Sequence, residues 1–597
     1  MENIRPLKEP LLRKRTEKTL HQRVIKADNS NKALVQELRS GSDIIRVIPL
    51  GGVEEVGRNM IIIEVGEDIF ISDMGFEFVT EVDTPGISYV LPNVKYLEAR
   101  KKKIRAVFIT HGHLDHIGGI PYIMPRIGNP PIYTRELTAL MIKKRQDEFP
   151  ELAPLDIKMM EPGKRIKIGS TYVEAFAVTH SIPDSMGLKI ETKYGNIVLS
   201  GDLKLDHHDG VPTKEEQDVW GKVGKEKNIL FIADSTNAER PGWSITEREV
   251  VENIEEIIRG IKGRIIVGTF ASQFARMIKI IQIAERMGRK VVTDGRSIKT
   301  NIDVALAAGM LKPEDGDIVD VRQIEDYPPD KVLVLATGAQ GEEFAALGRA
   351  SRGVHKHLKF KSTDTIIFSS SVIPGNEVAV QELRDNLYKY NVHIINYRTS
   401  DVHSTGHGNA GELVWINQQV NAKYFMPGYG YRSMLHAHAD ATIEAGRPKD
   451  KVILAENGSI IDIIDENTVK VHKEKVPADP MFVDGTTVSD GQSPVVNDRK
   501  VLSQDGIFVV IAVIDTSTGK VRRSPDIISR GFVYMKESQE LLKHARGLTK
   551  RMIEETASRQ HPVNMDFLKS DVREKLSRFL LQKTGKRPIV LPVILET

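Results

Sequence analysis

From Asp43 to about residue 240, short aliphatic and β-branched runs alternate with turn residues. Residues 44–50 (IIRVIPL), 60–65, 69–72 and 104–110 are nearly continuous apolar runs of strand length, the pattern of strands buried on both faces. Residues 172–178, 188–192, 196–199 and 229–233 continue the series, and helical stretches are few, with 134–149 as one. From 245 to 400 the rhythm changes. A helix is predicted over 246–259, opened by Thr246 with Glu249 three residues on, a capping box. Strands are predicted over 264–268, 290–292, 332–335 and 365–369, and helices over 274–287 and 377–388, an alternation that predicts a parallel α/β unit. Residues 476–503, rich in Pro, Gly, Asp and Ser, read as a linker. A strand at 506–513 and helices at 538–558 and 566–584 predict a small α+β tail.

At 597 residues the chain holds two or three domains. Its 84 Lys and Arg against 81 Asp and Glu leave a net charge of +3, so any nucleic-acid contact has to come from local patches. There is no apolar run of the roughly 18 residues that a membrane span needs, and no membrane partner is expected. There are no cysteines, which removes disulfides, thiolate metal sites and thiol nucleophiles together. Residues 1–43 are basic and lack the apolar core of a secretory signal. They read as a flexible solvated extension or as an electrostatic arm for nucleic acid.

Strand 104–110 runs into His111-Gly-His113-Leu-Asp115-His116. Three imidazoles and a carboxylate within six residues have no use in a core, where each needs a partner, and they point to metal. The glycine is expected to allow a tight turn. His111 and His113 can reach one ion while Asp115 and His116 reach a second. Neutral imidazole and carboxylate suit Zn²⁺, with Mn²⁺ an alternative. Two more strand ends deliver His180 and Asp202, and Asp202 could bridge a pair of ions. Asp73, also at a strand end, could orient the histidine loop. Taken singly, these last three read first as strand-end turn residues.

By these residues the chain resembles the metallo-β-lactamase superfamily. Thr179-His-Ser-Ile-Pro-Asp-Ser-Met-Gly187, Asp234-Ser-Thr-Asn-Ala-Glu239, Thr269-Phe-Ala-Ser272, Thr337-Gly-Ala-Gln-Gly-Glu342, Ser369-Ser-Ser-Val-Ile-Pro-Gly-Asn-Glu377 and His403-Ser-Thr-Gly-His407 resemble its β-CASP nuclease branch. The tail, through Ser524-Pro-Asp-Ile-Ile-Ser-Arg-Gly-Phe-Val-Tyr534 and Lys583-Thr-Gly-Lys-Arg-Pro588, is similar to that of bacterial ribonuclease J. The resemblance implies an α/β fold: a metallo-β-lactamase αββα sandwich over 44–241 and 410–458, interrupted by a β-CASP domain over 242–409. A linker over 459–503 and a C-terminal domain over 504–597 would follow.

What the resemblance implies for function is a ribonuclease with two metal ions, cutting 5′→3′ from 5′-monophosphate ends, with an endonucleolytic mode. The enzyme would be cytoplasmic, act in RNA maturation and decay, form dimers or tetramers, and meet RNA-decay partner proteins. His111, His113 and His180 would hold the first ion, Asp115 and His116 the second, with Asp202 between them. Asp115 would also orient the attacking water. Asp234 and His407 would stand over the site, His407 as acid for the leaving oxygen or as an anchor on the phosphate. Phe270, Ala271 and Ser272, with His403, Ser404, Thr405, Gly406 and His407, would line a phosphate pocket. Arg276, Arg296 and Arg349 are candidates for the RNA groove, whereas Arg100–Lys103 and Lys143–Arg145 read as solvated faces.

One departure stands out. Where relatives carry a further metal histidine, this chain has Tyr429. A phenol has to lose a proton to ligate, so a weaker second site is expected. At most one of His436 and His438 could compensate, because their spacing puts them on opposite helix faces. Competing readings are a weakly active or non-catalytic partner subunit of a ribonuclease complex, a small-molecule metallohydrolase, and a DNA nuclease.

Overall fold

The structure is a computed structural model. It describes residues 45–79, 85–270, 273–313, 317–342, 345–373, 376–485, 487–490, 494–534, 537–559 and 563–597. The predicted extension 1–43 and two pocket candidates, Ala271 and Ser272, lie outside them. The chain forms two compact units: one runs to Glu77 and resumes over Leu91–Ala478, and the other comprises Phe78–Val90 and Asp479–Thr597.

In the first unit two sheets share a core. The eight-stranded sheet runs Val469–Lys475, Ser459–Ile463, Ile45–Gly51, Met60–Val65, Asp68–Ser72, Ile104–Phe108, Ile132–Thr134, Ile157–Met159. The six-stranded sheet runs Tyr424–Gly428, Asn228–Asp234, Asn196–Leu199, Met186–Ile190, Thr171–Ala177, Arg165–Ile168. Val47, Ile61, Phe70 and Phe108 from one sheet meet Val173, Leu188, Leu199 and Ile232 from the other in one buried cluster. Helices Lys214–Gly224 and Ala410–Val420 cover the outer face of the second sheet through Trp220, Leu413 and Ile416. The first of these helices was not legible in the sequence, because it buries only Trp220 and Val223 among its apolar residues.

Between the two passages through the sandwich lies an all-parallel sheet, in the order Ile318–Asp320, Lys290–Asp294, Val332–Ala336, Ile265–Thr269, Thr365–Ser369, His393–Asn396. Helices Glu247–Gly260, Phe274–Arg286 and Arg296–Ala307 bury Ile254, Met277 and Ile298 on one face. Helices Ala346–Ser351 and Glu377–Tyr388 bury Leu347 and Leu383 on the other. Thr246 makes the predicted capping box with Glu249.

Two expected boundaries are corrected. Residues 459–475 are not linker: they form two strands of the large sheet, with Ile45 opposite Ile463 and Arg46 opposite Asp462. The outer of these, Val469–Lys475, is an edge strand with its charged residues exposed, so its composition resembles a loop. Helix Pro494–Gln504 occupies much of what remained. In addition, Phe78–Val90 groups with the second unit and not with the sandwich.

In the second unit strand Ile507–Asp515 pairs antiparallel with Asp526–Arg530 and parallel with Ile589–Glu596. Its alternating Phe508, Val510, Ala512 and Ile514 pack under helices Gln539–Arg559 and Met565–Thr584. On the opposite face Ile528, Leu591 and Leu595 stay exposed.

Candidate metal centre

Strand ends from both sheets deliver the polar cluster. Strand Ile104–Phe108 leads to His111, Thr171–Ala177 to His180 and Asn196–Leu199 to Asp202. His113 sits in extended conformation as N-cap of the short helix Leu114–Ile117, which places Asp115 and His116 in its first turn. The chain bends at Gly112, as expected, and the glycine also leaves space there. Its φ is ordinary, but a Cβ there would meet Sδ of Met141 at 2.3 Å.

The atoms of the six expected ligands converge as two groups sharing Asp202, which also forms a third such group with Asp234 and His407. Nδ1 of His113 lies 2.9 Å from Nε2 of His111 and 3.2 Å from Nε2 of His180. Oδ2 of Asp202 is 3.7 Å from His111 and 3.9 Å from His180. On its other side Asp202 is 3.2 Å from Nε2 of His116, which is 3.5 Å from Oδ2 of Asp115. Within each group all donor atoms lie within 4.8 Å of one another. The six expected ligands are therefore brought together.

The outer partners set the tautomers. The carbonyl of Gly406 accepts from Nδ1 of His180 at 2.6 Å. Asp73 lies 3.0 Å from Nδ1 of His116. The Thr110 hydroxyl donates to Asp73 at 3.0 Å and so accepts from Nδ1 of His111, also at 3.0 Å. Ser181 meets Nε2 of His113 at 3.1 Å. Each ring thus turns a lone pair toward the cluster. Burial and the neighbouring imidazoles hold His111 and His180 well below the usual histidine range, hence neutral. Burial disfavours charge on His116 too, but Asp202, Asp73 and Asp115 outweigh it and raise its pKa. Lone pairs and surplus carboxylate fit divalent cations. Asp73 lies where an acceptor for the His116 Nδ1–H is needed.

Asp234 and His407 form a pair beside this cluster. Oδ2 of Asp234 accepts from Nδ1 of His407 at 2.6 Å, and Nε2 of His407 faces Asp202 at 3.9 Å. Burial works against charge on His407, but Asp234 and Asp202 push its pKa up to about 9. Asp234 also accepts the Thr236 N–H at 2.9 Å, so it caps the following turn as well as holding the imidazole.

The 403–407 segment is held internally. The buried Ser404 hydroxyl lies 2.6 Å from the Ile245 carbonyl and 3.0 Å from Nζ of Lys204. Thr405 accepts from Asn237 at 3.2 Å. Nη1 of Arg276 donates to Nδ1 of His403 at 2.7 Å, while the Phe270 ring is 6.0 Å from that of His403. Ser404 is thus a brace, and its hydroxyl is not turned outward. Arg276, read as a groove residue, is fully buried and pairs with Glu247 at 2.7 and 2.6 Å. Arg296 and Arg349 do line a cavity of about 840 Å³, together with His113, Lys144 and Arg145. The last two were expected on a solvated face.

Tyr429 is buried with φ at +55° and stacks on His116, ring centroids 6.1 Å apart. Burial, with Asp73 and Asp202 nearby, raises its pKa well above 10. His436 is exposed, and His438 is buried against Ser235 at 3.0 Å. Neither joins a metal-ligand group among the described residues. The sequence reading missed Asn59, whose Nδ2 lies 2.9 Å from Nε2 of His116 and 3.2 Å from Oδ2 of Asp115. It missed Glu247 as well. A single arginine among Phe274, Met277, Ile280 and Ile281 was the available sign of a buried pair.

With that geometry in place, the comparisons agree along the chain. Residues 55–230 match the metallo-beta-lactamase superfamily, 262–387 the ribonuclease J beta-CASP domain and 494–597 the ribonuclease J C-terminal domain. Ribonuclease J2 of Bacillus subtilis is 32% identical over 94% of this chain and 100% of its own. Ribonuclease J of Thermus thermophilus is 34% identical over 93% of this chain and 96% of its own. A crystal structure of a protein of unknown function from Enterococcus faecalis V583 shares the fold, with a TM-score of 0.51 at 16% identity over 70% of this chain and 100% of its own. The chain belongs to the ribonuclease J family.

Proposed function

We propose that the protein is a metal-dependent ribonuclease that degrades RNA 5′→3′ from 5′-monophosphate ends and also cuts internally. The observation that carries this is the double group of ligands around Asp202 with the Asp234–His407 pair beside it. His111, His113, His180 and Asp202 are the residues for one divalent ion, and Asp115, His116 and Asp202 those for the other. Ions bound there supply water of lowered pKa and offset phosphate charge. His407, with Asp234 accepting from its Nδ1–H and its Nε2 turned toward the cluster, is placed to pass a proton to the departing 3′-oxygen. Arg296, Arg349 and Lys144 in the adjoining cavity suit the RNA backbone. Among the described pocket candidates, His403, Thr405 and His407 have polar side chains that are only partly buried and suit the end phosphate.

Zinc suits the imidazole-rich group and manganese is the alternative. No helix among the described residues is long and apolar enough to cross a membrane, and a cytoplasmic setting with RNA-decay partner proteins fits this chemistry. The apolar outer face of the C-terminal sheet, with Ile528, Leu591 and Leu595 exposed, suits a second copy of the chain in a dimer or tetramer. Product analysis on 3′-labelled RNA bearing 5′-mono- or 5′-triphosphate tests the reading. Processive loss of the monophosphate form is expected, stopped by chelator. Intact monophosphorylated RNA in a metal-replete sample would overturn it.

A further inference from the structure

The two ligand groups differ in kind. The first presents three imidazole nitrogens and one carboxylate, from His111, His113, His180 and Asp202. The second presents one imidazole and two carboxylates, from His116, Asp115 and Asp202. The Tyr429 ring lies beside this group, stacked at 19° to the His116 imidazole with ring centroids 6.1 Å apart. Its buried hydroxyl makes no hydrogen bond.

A different group reaches the second set. The backbone of Asn59 is held on both sides, its N–H donating to the Asp115 carbonyl at 3.1 Å and its carbonyl accepting from Gly75 at 3.1 Å. Its side chain is thereby aimed at His116 and Asp115, with Nδ2 at 2.9 and 3.2 Å from the atoms that would ligate. The Oδ1 atom of the same amide is buried without a partner. Turning the amide by half a revolution exchanges the two atoms and presents the orphaned oxygen to the same place.

We propose that the two ion positions are chemically unequal: a tight, imidazole-rich zinc position, and a weaker, exchangeable, oxygen-rich position that takes Mn²⁺ or Mg²⁺ with Asn59 Oδ1 as its fourth protein donor and Tyr429 as a non-ligating wall. Carboxylate and amide oxygens favour the harder cations, whereas imidazoles favour zinc. The proposal rests on the ribonuclease reading above and deepens it, since the second ion then becomes the one whose supply governs turnover.

The test uses the full chain and the metals alone. Protein saturated with Zn²⁺ and Mn²⁺ is dialysed against metal-free buffer, and its metal content is measured. One zinc per chain is expected to remain, with the second position empty and refilled by Mn²⁺ in a titration followed by electron paramagnetic resonance. Tyr429→His is expected to retain both ions, and Asn59→Ala to weaken Mn²⁺ binding by about tenfold with the zinc unchanged. Asn59→Asp, which supplies an anionic oxygen in the same place, tightens Mn²⁺ binding. Two ions leaving wild-type protein at equal rates, or Mn²⁺ binding indifferent to both changes at Asn59, would overturn the proposal while leaving the ribonuclease reading intact. A chain that holds no ion at all would overturn both.

Discussion

His180 donates its Nδ1–H to the carbonyl of Gly406 over 2.6 Å, although 226 residues and the whole inserted α/β domain separate them. The contact orients a candidate metal ligand from a segment on the far side of the inserted domain in sequence. It also explains the glycine, whose φ is unexceptional but whose added Cβ would lie 2.5 Å from Cε1 of the His180 ring. Gly406→Ala is expected to displace the ring and reduce metal affinity and turnover by roughly 10–100-fold, the usual cost of losing an outer partner. Metal content and hydrolysis rates check this, and an unchanged melting temperature would show that the damage is local.

Removal of a ligand should cost more. His113→Ala takes one of four donors from the imidazole-rich group and is expected to abolish hydrolysis of monophosphorylated RNA. Chelation of the wild-type protein should do the same. Because His113 caps only a short helix and packs in no core cluster, the variant should still unfold in one cooperative transition, monitored by circular dichroism.

Arg276 and Glu247 brace the same segment from behind. The guanidinium also donates to the carbonyls of Ser369 and Ser404, at 3.3 and 2.8 Å. Glu247→Gln leaves a fully buried cation short of its counter-charge, and a loss of about 3–5 kcal/mol in urea unfolding is expected. A paired Glu247→Leu, Arg276→Met replacement should recover much of that stability. It should not recover activity, since the 403–404 segment loses its anchor.

His438 gives the pH dependence a sign. Burial first, with Arg447 adding to it, lowers its pKa to about 4 against the ordinary 6.5. The folded state therefore binds the proton less readily than the unfolded chain. Its contribution is fully present above pH 6.5 and is lost as the pH falls toward 4, amounting to about 3 kcal/mol. His438→Leu should flatten the fall in stability between pH 7 and 4 by about that much, read from urea denaturation of chelated samples.

The strands of the sandwich and the alternating elements of the insertion were legible because buried strands in both carry near-continuous apolar runs, as in Val332–Ala336 and Asn228–Asp234. The six candidate ligands were legible because they follow strand ends as chemically conspicuous residues, and the fold brings them together. Val469–Lys475 escaped because an edge strand with one wet side has no apolar signature. Asn59 escaped because a lone amide before a strand carries no chemical signal until the fold sets it beside His116. Arg276 misled because a cation in a nuclease suggests phosphate, while its partner Glu247 lies 29 residues away on another helix.

The pairing of Ile45–Gly51 with Ser459–Ile463, fastened by Arg46 and Asp462 across 416 residues, joins the two ends of the first unit. One edge of the first strand is covered by Met60–Val65, close by in the chain, but the other is covered only by Ser459–Ile463, which follows all the candidate ligands in sequence. Long-range pairing of this kind is slow to form, so closure of the large sheet is expected to be the late step in folding of the first unit.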